Sequence, residues 1–238
     1  MIKKISILLS DIWFLIRKGR RILYHLHQNY PDRKDFGSLP SHSTIAYPCH
    51  IVIKKNLLVE EFVKIRYGLT IINTNKEHVY IKKYTVIAPD VTIITNNHKS
   101  TVSIPQILLG ESHINDRSGD VIIEEDVWVG TKATILVGVT LGRGCIIGAN
   151  TLVNKSIPPY ALVAGTPAKI IGVKFSLFDI EKHERNLYPP DERISHEDLV
   201  SLFDTYYKDK EVYGCSDSLT DKQLDLLNKL KKKRGLNL

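Results

Sequence analysis

The chain has 238 residues, 43% of them apolar and 25% charged, an ordinary balance for a folded protein that leaves wholesale disorder out. Its formal charge of +7 is concentrated at the two ends, and no nucleic-acid-binding motif accompanies it. The cysteines Cys49, Cys145 and Cys215 are odd in number and widely spaced, which excludes a disulfide framework or a zinc site and suits a reduced, cytoplasmic setting.

The chain begins "MIKKISILLSDIWFLIRKGRR". Asp11 interrupts the apolar run, no small-residue cleavage site follows, and the stretch is too short to span a bilayer. Ile5, Leu8, Leu9, Ile12, Leu15, Ile16, Leu23 and Leu26 keep helical spacing, which predicts an amphipathic helix packed against the protein. The cations around it keep open a peripheral contact with the inner face of a membrane. The turn-rich "NYPDRKDFGS" closes this segment, so residues 1–40 read as helix and linker.

A period of six then takes over. Ile45, Ile51, Leu57, Val63 and Leu69 are six apart, and Ile81, Ile87 and Ile93 resume the phase after an irregular "NTNKEH". Residues 99–122 break it and hand back to Ile123, Val129, Ile135, Leu141, Ile147 and Val153 in the same phase. A second series, Val127, Ala133, Val139, Cys145, Thr151 and Ile157, is small or β-branched. Neither a helix (3.6) nor a plain strand (2) repeats this way. A strand that turns a corner at each unit does, so the pattern predicts a parallel β-helix, an all-β solenoid sharing one core. Gly130, Gly142 and Gly148 follow the aliphatic and are expected at corners needing unusual backbone angles. An insertion that preserves phase is a loop thrown out from the coil, and long loops are usually functional. The paired prolines of "NKSIPPYALVAGTPAKIIG" are expected to stop the coil near Gly172. Beyond it, "SHEDLVSLFDTYYKDKE" and "LTDKQLDLLNKLKKKR" read as helices, the second opened by a Ser218-to-Asp221 cap. The expected division is therefore 1–40, a coil over 41–172 and a helical extension over 173–238.

A scaffold carries function only through particular residues. His98 ends "TIITNNH" at the mouth of the inserted loop, where a neutral imidazole can accept a proton from a hydroxyl; a surface histidine at a corner is the plainer reading. His113, inside the loop, is a weaker candidate. Trp128 stands where other units carry Thr134, Thr140, Ile146 and Leu152, and is either an interface anchor or a platform for a ligand. Gly130, Thr131, Gly148 and Ala149 leave an open stripe along which an extended chain can lie.

The stretch "DVWVGTKATILVGVTLGRGCIIGANTLVNKSIPPYALVAGTPAKIIG", with "VIAPDVTIITNNH" before it, resembles the hexapeptide-repeat acetyltransferases, in the branch of sugar O-acetyltransferases and xenobiotic acetyltransferases. The W-x-G unit, the IPP turn and the AGTPAK ending carry the likeness, over roughly residues 80–172. It implies a left-handed β-helix, a homotrimer with sites between subunits, and acetyl-CoA as donor. By it, His98 is the catalytic histidine, with Asn97 and His113 toward the acceptor. Trp128, Gly130, Thr131, Gly148, Ala149, Asn154, Lys155 and Lys169 fall along the CoA groove, the lysines meeting its phosphates. The acceptor is expected to be a sugar or glycan hydroxyl of a surface polysaccharide, such as capsule or lipopolysaccharide. A xenobiotic (chloramphenicol or streptogramin) or an amino-sugar nitrogen is the alternative, and a non-catalytic scaffold the rival class. Acceptor choice is assigned to 99–122 and 73–80. A metal-dependent solenoid of the γ-class carbonic anhydrase kind needs converging histidines, and the spacing within the coil offers no close pair, so no metal is expected.

Overall fold

The computed structural model describes residues 16–20, 22, 26, 30–215 and 219–236. Most of the expected N-terminal helix lies outside them, as does Ser218. Three parallel sheets make the body. The first stacks Thr44–Ile45, Lys64–Ile65, Val86–Ile87, Trp128–Val129, Ile146–Ile147 and Ala161–Ala164. A second holds Leu57–Val59, Val79–Ile81, Val121–Ile123 and Thr140–Leu141; the third holds His50–Ile51, Thr70–Ile72, Thr92–Ile94, Thr134–Ile135 and Leu152–Val153. The chain visits third, second and first in fixed rotation, a triangular coil. Trp128 pairs with Ile146, Ile135 with Val153 and Ile123 with Leu141, each partner lying three repeat units further along. Three six-residue units therefore make one turn.

The six-residue phase is an inward phase. Ile51, Leu57, Val63, Leu69, Ile81, Ile87, Ile93, Ile123, Val129, Ile135, Leu141, Ile147 and Val153 are all at most 2% exposed. The small series also points in, Cys145 and Ala133 at 0%. Burial pushes the Cys49 thiol up to about 11 and Cys145 higher still, so both behave as compact core side chains rather than nucleophiles.

The corners lie elsewhere than expected. Backbone in the left-handed region falls at Asp126, Lys132, Gly138, Gly144 and Asn150, with φ between 55° and 73°, three residues after each inward aliphatic. Gly130 and Gly142 have ordinary φ and are needed for another reason. A Cβ on Gly130 would sit 2.7 Å from Ala149 N and Ile147 O, and one on Gly142 2.5 Å from Pro159 N. Neighbouring turns of backbone leave no room there. The paired prolines do not stop the coil either. Ala161–Ala164 adds one more parallel strand after them, and the reversal comes at residues 165–168, with Gly165 at φ 101° and Lys169–Val173 returning antiparallel.

The inserted segment leaves and rejoins earlier than 99–122. Asn96–Asn97 and Arg117–Ser118 form a two-stranded antiparallel ladder, Gly119 N donates to Thr95 O (3.0 Å), and Val121 and Ile122 already pair with Val79 and Tyr80. Across this excursion Val86 still pairs with Trp128, just as Trp128 pairs with Ile146 on the uninterrupted turn that follows. The turns above and below stack as though the segment were absent.

After the coil come helices Leu177–Leu187, His196–Leu202 and Asp221–Arg234. The first was not legible as a helix; Ser176 caps it, accepting from Asp179 N. The last opens on Thr220, whose capping box uses Gln223, in place of the Ser218-to-Asp221 pattern. Ile180, Leu199 and Tyr207 join the coil's own core. A buried polar network fastens them: Arg143 bonds Glu125 (3.1 Å) and Glu184 (2.9 Å), and Tyr160 OH donates to Glu184. Asp126 accepts from Lys174 (2.6 Å) and lies 3.1 Å from His183 Nε2. Burial alone would raise the Asp126 carboxyl, yet the His183 hydrogen bond and the Lys174 ammonium outweigh it and hold it below the ordinary carboxylate range. Among the described residues no helix is long and apolar enough to cross a membrane.

Candidate active site

His98 leaves the coil at the corner that follows Thr92–Ile94. The excursion folds back over it. Its short helix Gln106–Ser112 is anchored by Leu109, fully buried, and ends on His113 in the left-handed conformation at φ 56°. That turn brings Asp116 between the two imidazoles. His98 Nδ1 is 2.8 Å from Asp116 Oδ1, His113 Nδ1 is 2.9 Å from Oδ2, and the rings are 5.4 Å apart. Asn96 Nδ2 adds a longer contact of 3.3 Å. The Asp116 side chain is 11% exposed. Its carboxyl is held below the usual range, first by the His113 hydrogen bond and then by that of His98. An ionised carboxylate only accepts, so each Nδ1 must carry a proton, and the neutral form of each ring has its lone pair on Nε2.

Asp116 was invisible to spacing arguments until the helix turned; the only cue was a carboxylate three residues after a histidine. The sequence expected no converging histidines within the coil. The excursion nonetheless places ligand atoms of His98, His113 and Asp116 within 4.8 Å of one another, a donor set a divalent cation accepts. The same atoms are satisfied by the hydrogen bonds just described.

A cavity of about 420 Å³ opens beside this cluster. Residues 74–77 line one side and Asn96, His113, Asn115, Asp116 and Ser118 the other. The two segments singled out for acceptor choice thus face one space, which is polar on both sides. Asn97 and His98 are not among its lining residues; Asn97 is exposed in the ladder and paired with Arg117.

Trp128 is on a different face. It stands 55% exposed on the first sheet, in a row with Val86, Ile146 and Leu162. At the adjoining corner Gly130 and Thr131 lie one turn below Gly148 and Ala149. Asn150 N donates to Thr131 O (2.9 Å), and a Cβ on Gly148 would meet Ala164 Cβ at 3.1 Å. Lys169 pairs with Ala164, so these residues share one edge with an exposed lysine at its end. Asn154 and Lys155 follow Leu152–Val153, exposed at the same corner of the triangle as His98 but two turns on. Within one chain the third sheet separates the tryptophan edge from the histidine cluster.

The family model "Hexapeptide repeat of succinyl-transferase" matches residues 120–155. A chloramphenicol acetyltransferase of Agrobacterium fabrum (strain C58 / ATCC 33970) is 48% identical over 58 residues, 24% of this chain and 28% of that protein. A protein of Escherichia coli (strain K12) named as a lipopolysaccharide biosynthesis O-acetyl transferase is 35% identical over 126 residues, 51% of this chain and 59% of its own length. In both, the chain spans less than two thirds of the relative. Among solved structures, a hexapeptide-repeat acetyltransferase of Vibrio cholerae O1 biovar eltor, complexed with acetyl coenzyme A, superposes with a TM-score of 0.55 at 26% identity. The match covers 62% of this chain and 81% of that one. By its repeat, its three-sheet coil and these relatives, the chain is similar to the hexapeptide-repeat acetyltransferases.

Proposed function

We propose that the chain is an acetyl-CoA-dependent O-acetyltransferase acting on a sugar hydroxyl of a surface polysaccharide. Residues 41–172 form its left-handed catalytic coil, and 1–40 and 173–238 are appendages. The observation that carries this reading is His98, held through Nδ1 by an ionised carboxylate beside a polar cavity. Its Nε2 takes the acceptor proton as the hydroxyl oxygen attacks the thioester carbonyl. The new C–O bond forms, the C–S bond breaks, and the imidazolium returns its proton to the departing thiolate. Asp116 stabilises that imidazolium and fixes its tautomer. The oxyanion between these steps calls for a backbone N–H donor.

The donor's pantetheine arm is assigned to the edge made by Trp128, Gly130, Thr131, Gly148 and Ala149. Lys169 lies toward its phosphates from that edge, and Asn154 and Lys155, at the His98 corner, are assigned to them from the neighbouring copy. The separation of that edge from His98 supports a homotrimer, in which one copy's tryptophan edge faces its neighbour's histidine cluster. The sugar is favoured over a flat aromatic drug by the lining of the cavity, where Asn75, Lys76, Glu77, Asn96 and Asn115 offer many hydrogen-bonding groups. Free thiol release from acetyl-CoA, measured against oligosaccharides, nucleotide sugars, amino sugars and chloramphenicol, tests the proposal. Turnover with a glycan hydroxyl is expected. Exclusive turnover of chloramphenicol or of an amino nitrogen moves the acceptor class, and no turnover with any acceptor, with no acetyl-CoA bound, returns the chain to a scaffold.

A further inference from the structure

The helix Asp221–Arg234 buries none of its side chains. Its own ends keep it helical. Thr220 and Gln223 form a reciprocal cap, and Gly235 closes the other end in the left-handed conformation at φ 68°. Such caps order a helix that buries nothing, yet this one is not uniformly polar. Leu224, Leu226, Leu227 and Leu230 are 39–59% exposed. At 100° per residue they fall within an arc of roughly 160°.

The helix is also basic. Lys222, Lys229, Lys232 and Lys233 lie off this arc and Lys231 and Arg234 fall within it near the C-terminal end; against Asp221 and Asp225 the net is +4 on 14 residues. A helix that is only solvated has no use for four leucines on one face. A helix that packs on another protein surface has no use for five cations among its last six residues. The same helix of a second copy, itself at +4, would oppose like charge with like. The combination fits a surface that is anionic outside and apolar beneath. At the other end of the chain Ile16, Ile22 and Leu26 are also at least half exposed, beside Arg17, Lys18 and Arg20, a second patch of the same chemistry.

We propose that Asp221–Arg234 is an interfacial helix that lies on an anionic phospholipid surface, its leucines at the acyl boundary and its cations among the headgroup phosphates. This site is independent of the acetyl acceptor and of His98.

Co-sedimentation of the full chain with vesicles tests it, using phosphatidylcholine with and without phosphatidylglycerol. Binding is expected with the anionic lipid only, and it should weaken at about 0.5 M salt. Leu227→Asp with Leu230→Asp should weaken it about tenfold or more with an unchanged melting temperature, since neither residue is buried. Lys222→Gln with Lys229→Gln and Lys233→Gln, which leaves the leucines intact, should weaken it several-fold and reduce the salt dependence. Absence of binding to anionic vesicles overturns the proposal. So does equal binding of parent and both variants, or a leucine variant that changes only the oligomeric state in light scattering.

Discussion

The strands Thr92–Ile94 and Thr134–Ile135 lie side by side although the whole excursion intervenes between them in the chain, and coil and excursion are held by opposite means. The coil is a column of fully buried aliphatics in one phase, joined by backbone hydrogen bonds from turn to turn. Its stability is mostly apolar burial, worth about 1.5–3 kcal/mol per large side chain. The excursion buries Leu109 and otherwise rests on polar contacts gathered at Asp116. A close-packed column tolerates few arrangements and so makes a rigid frame. A polar loop on that frame can aim side chains at solvent without exposing core. Chemistry therefore collects where the chain departs from the repeat.

If that contrast is right, the largest effect comes from the column. Ile135→Asp buries an unpartnered carboxylate where exposure is 0% and should cost on the order of 4 kcal/mol or more. Thermal melting reads this, and a variant melting like the parent would mean that the inward phase is wrong.

Second is His98→Ala, which should lower turnover by about 10²–10⁴-fold. Its melting temperature and acetyl-CoA affinity should stay near those of the parent. A variant keeping more than half its turnover would remove His98 from the mechanism.

Asp116→Asn comes next. The amide keeps the shape but not the charge, so turnover should fall about 10–100-fold. Its KM for acetyl-CoA should stay unchanged, and Asp116→Glu should restore part of the rate. An equal loss in KM and in melting temperature would make Asp116 a structural residue instead.

The smallest effect belongs to the polar clamp between coil and C-terminal helices. Asp126 has its folded pKa depressed, so its contribution is present above the ordinary carboxylate value of about 3.9. That contribution is lost as pH falls through the lower, folded pKa. Asp126→Asn should cost about 1–2 kcal/mol at neutral pH and flatten the loss of stability that sets in below about pH 4. Melting curves of parent and variant across that range give the comparison, and parallel curves would show that the carboxylate does not carry it.

A period of six was enough to find the inward side chains from Ile51 to Val153, because burial repeats wherever backbone geometry repeats. It was enough to place His98 at an exit and to mark the irregular segments around it. The family likeness supplied the roles offered to Trp128 and the glycine stripe. What the period did not contain was the reason for each glycine. Gly130 and Gly142 look like corner residues in one dimension, whereas their constraint is the backbone of the next turn, distant along the chain and in contact only once the coil closes. Asp116 is the same case at the site. Its worth depends on a left-handed turn at His113 and on a ladder between Asn97 and Arg117, both of which arise when the excursion folds back on its frame. The separation of Trp128 from His98 likewise follows from which of three sheets each residue reaches. Local pattern determined which side chains face inward, since that depends on neighbours along the strand. Which polar groups meet was decided by tertiary structure, because contacts between turns depend on distances the sequence does not order.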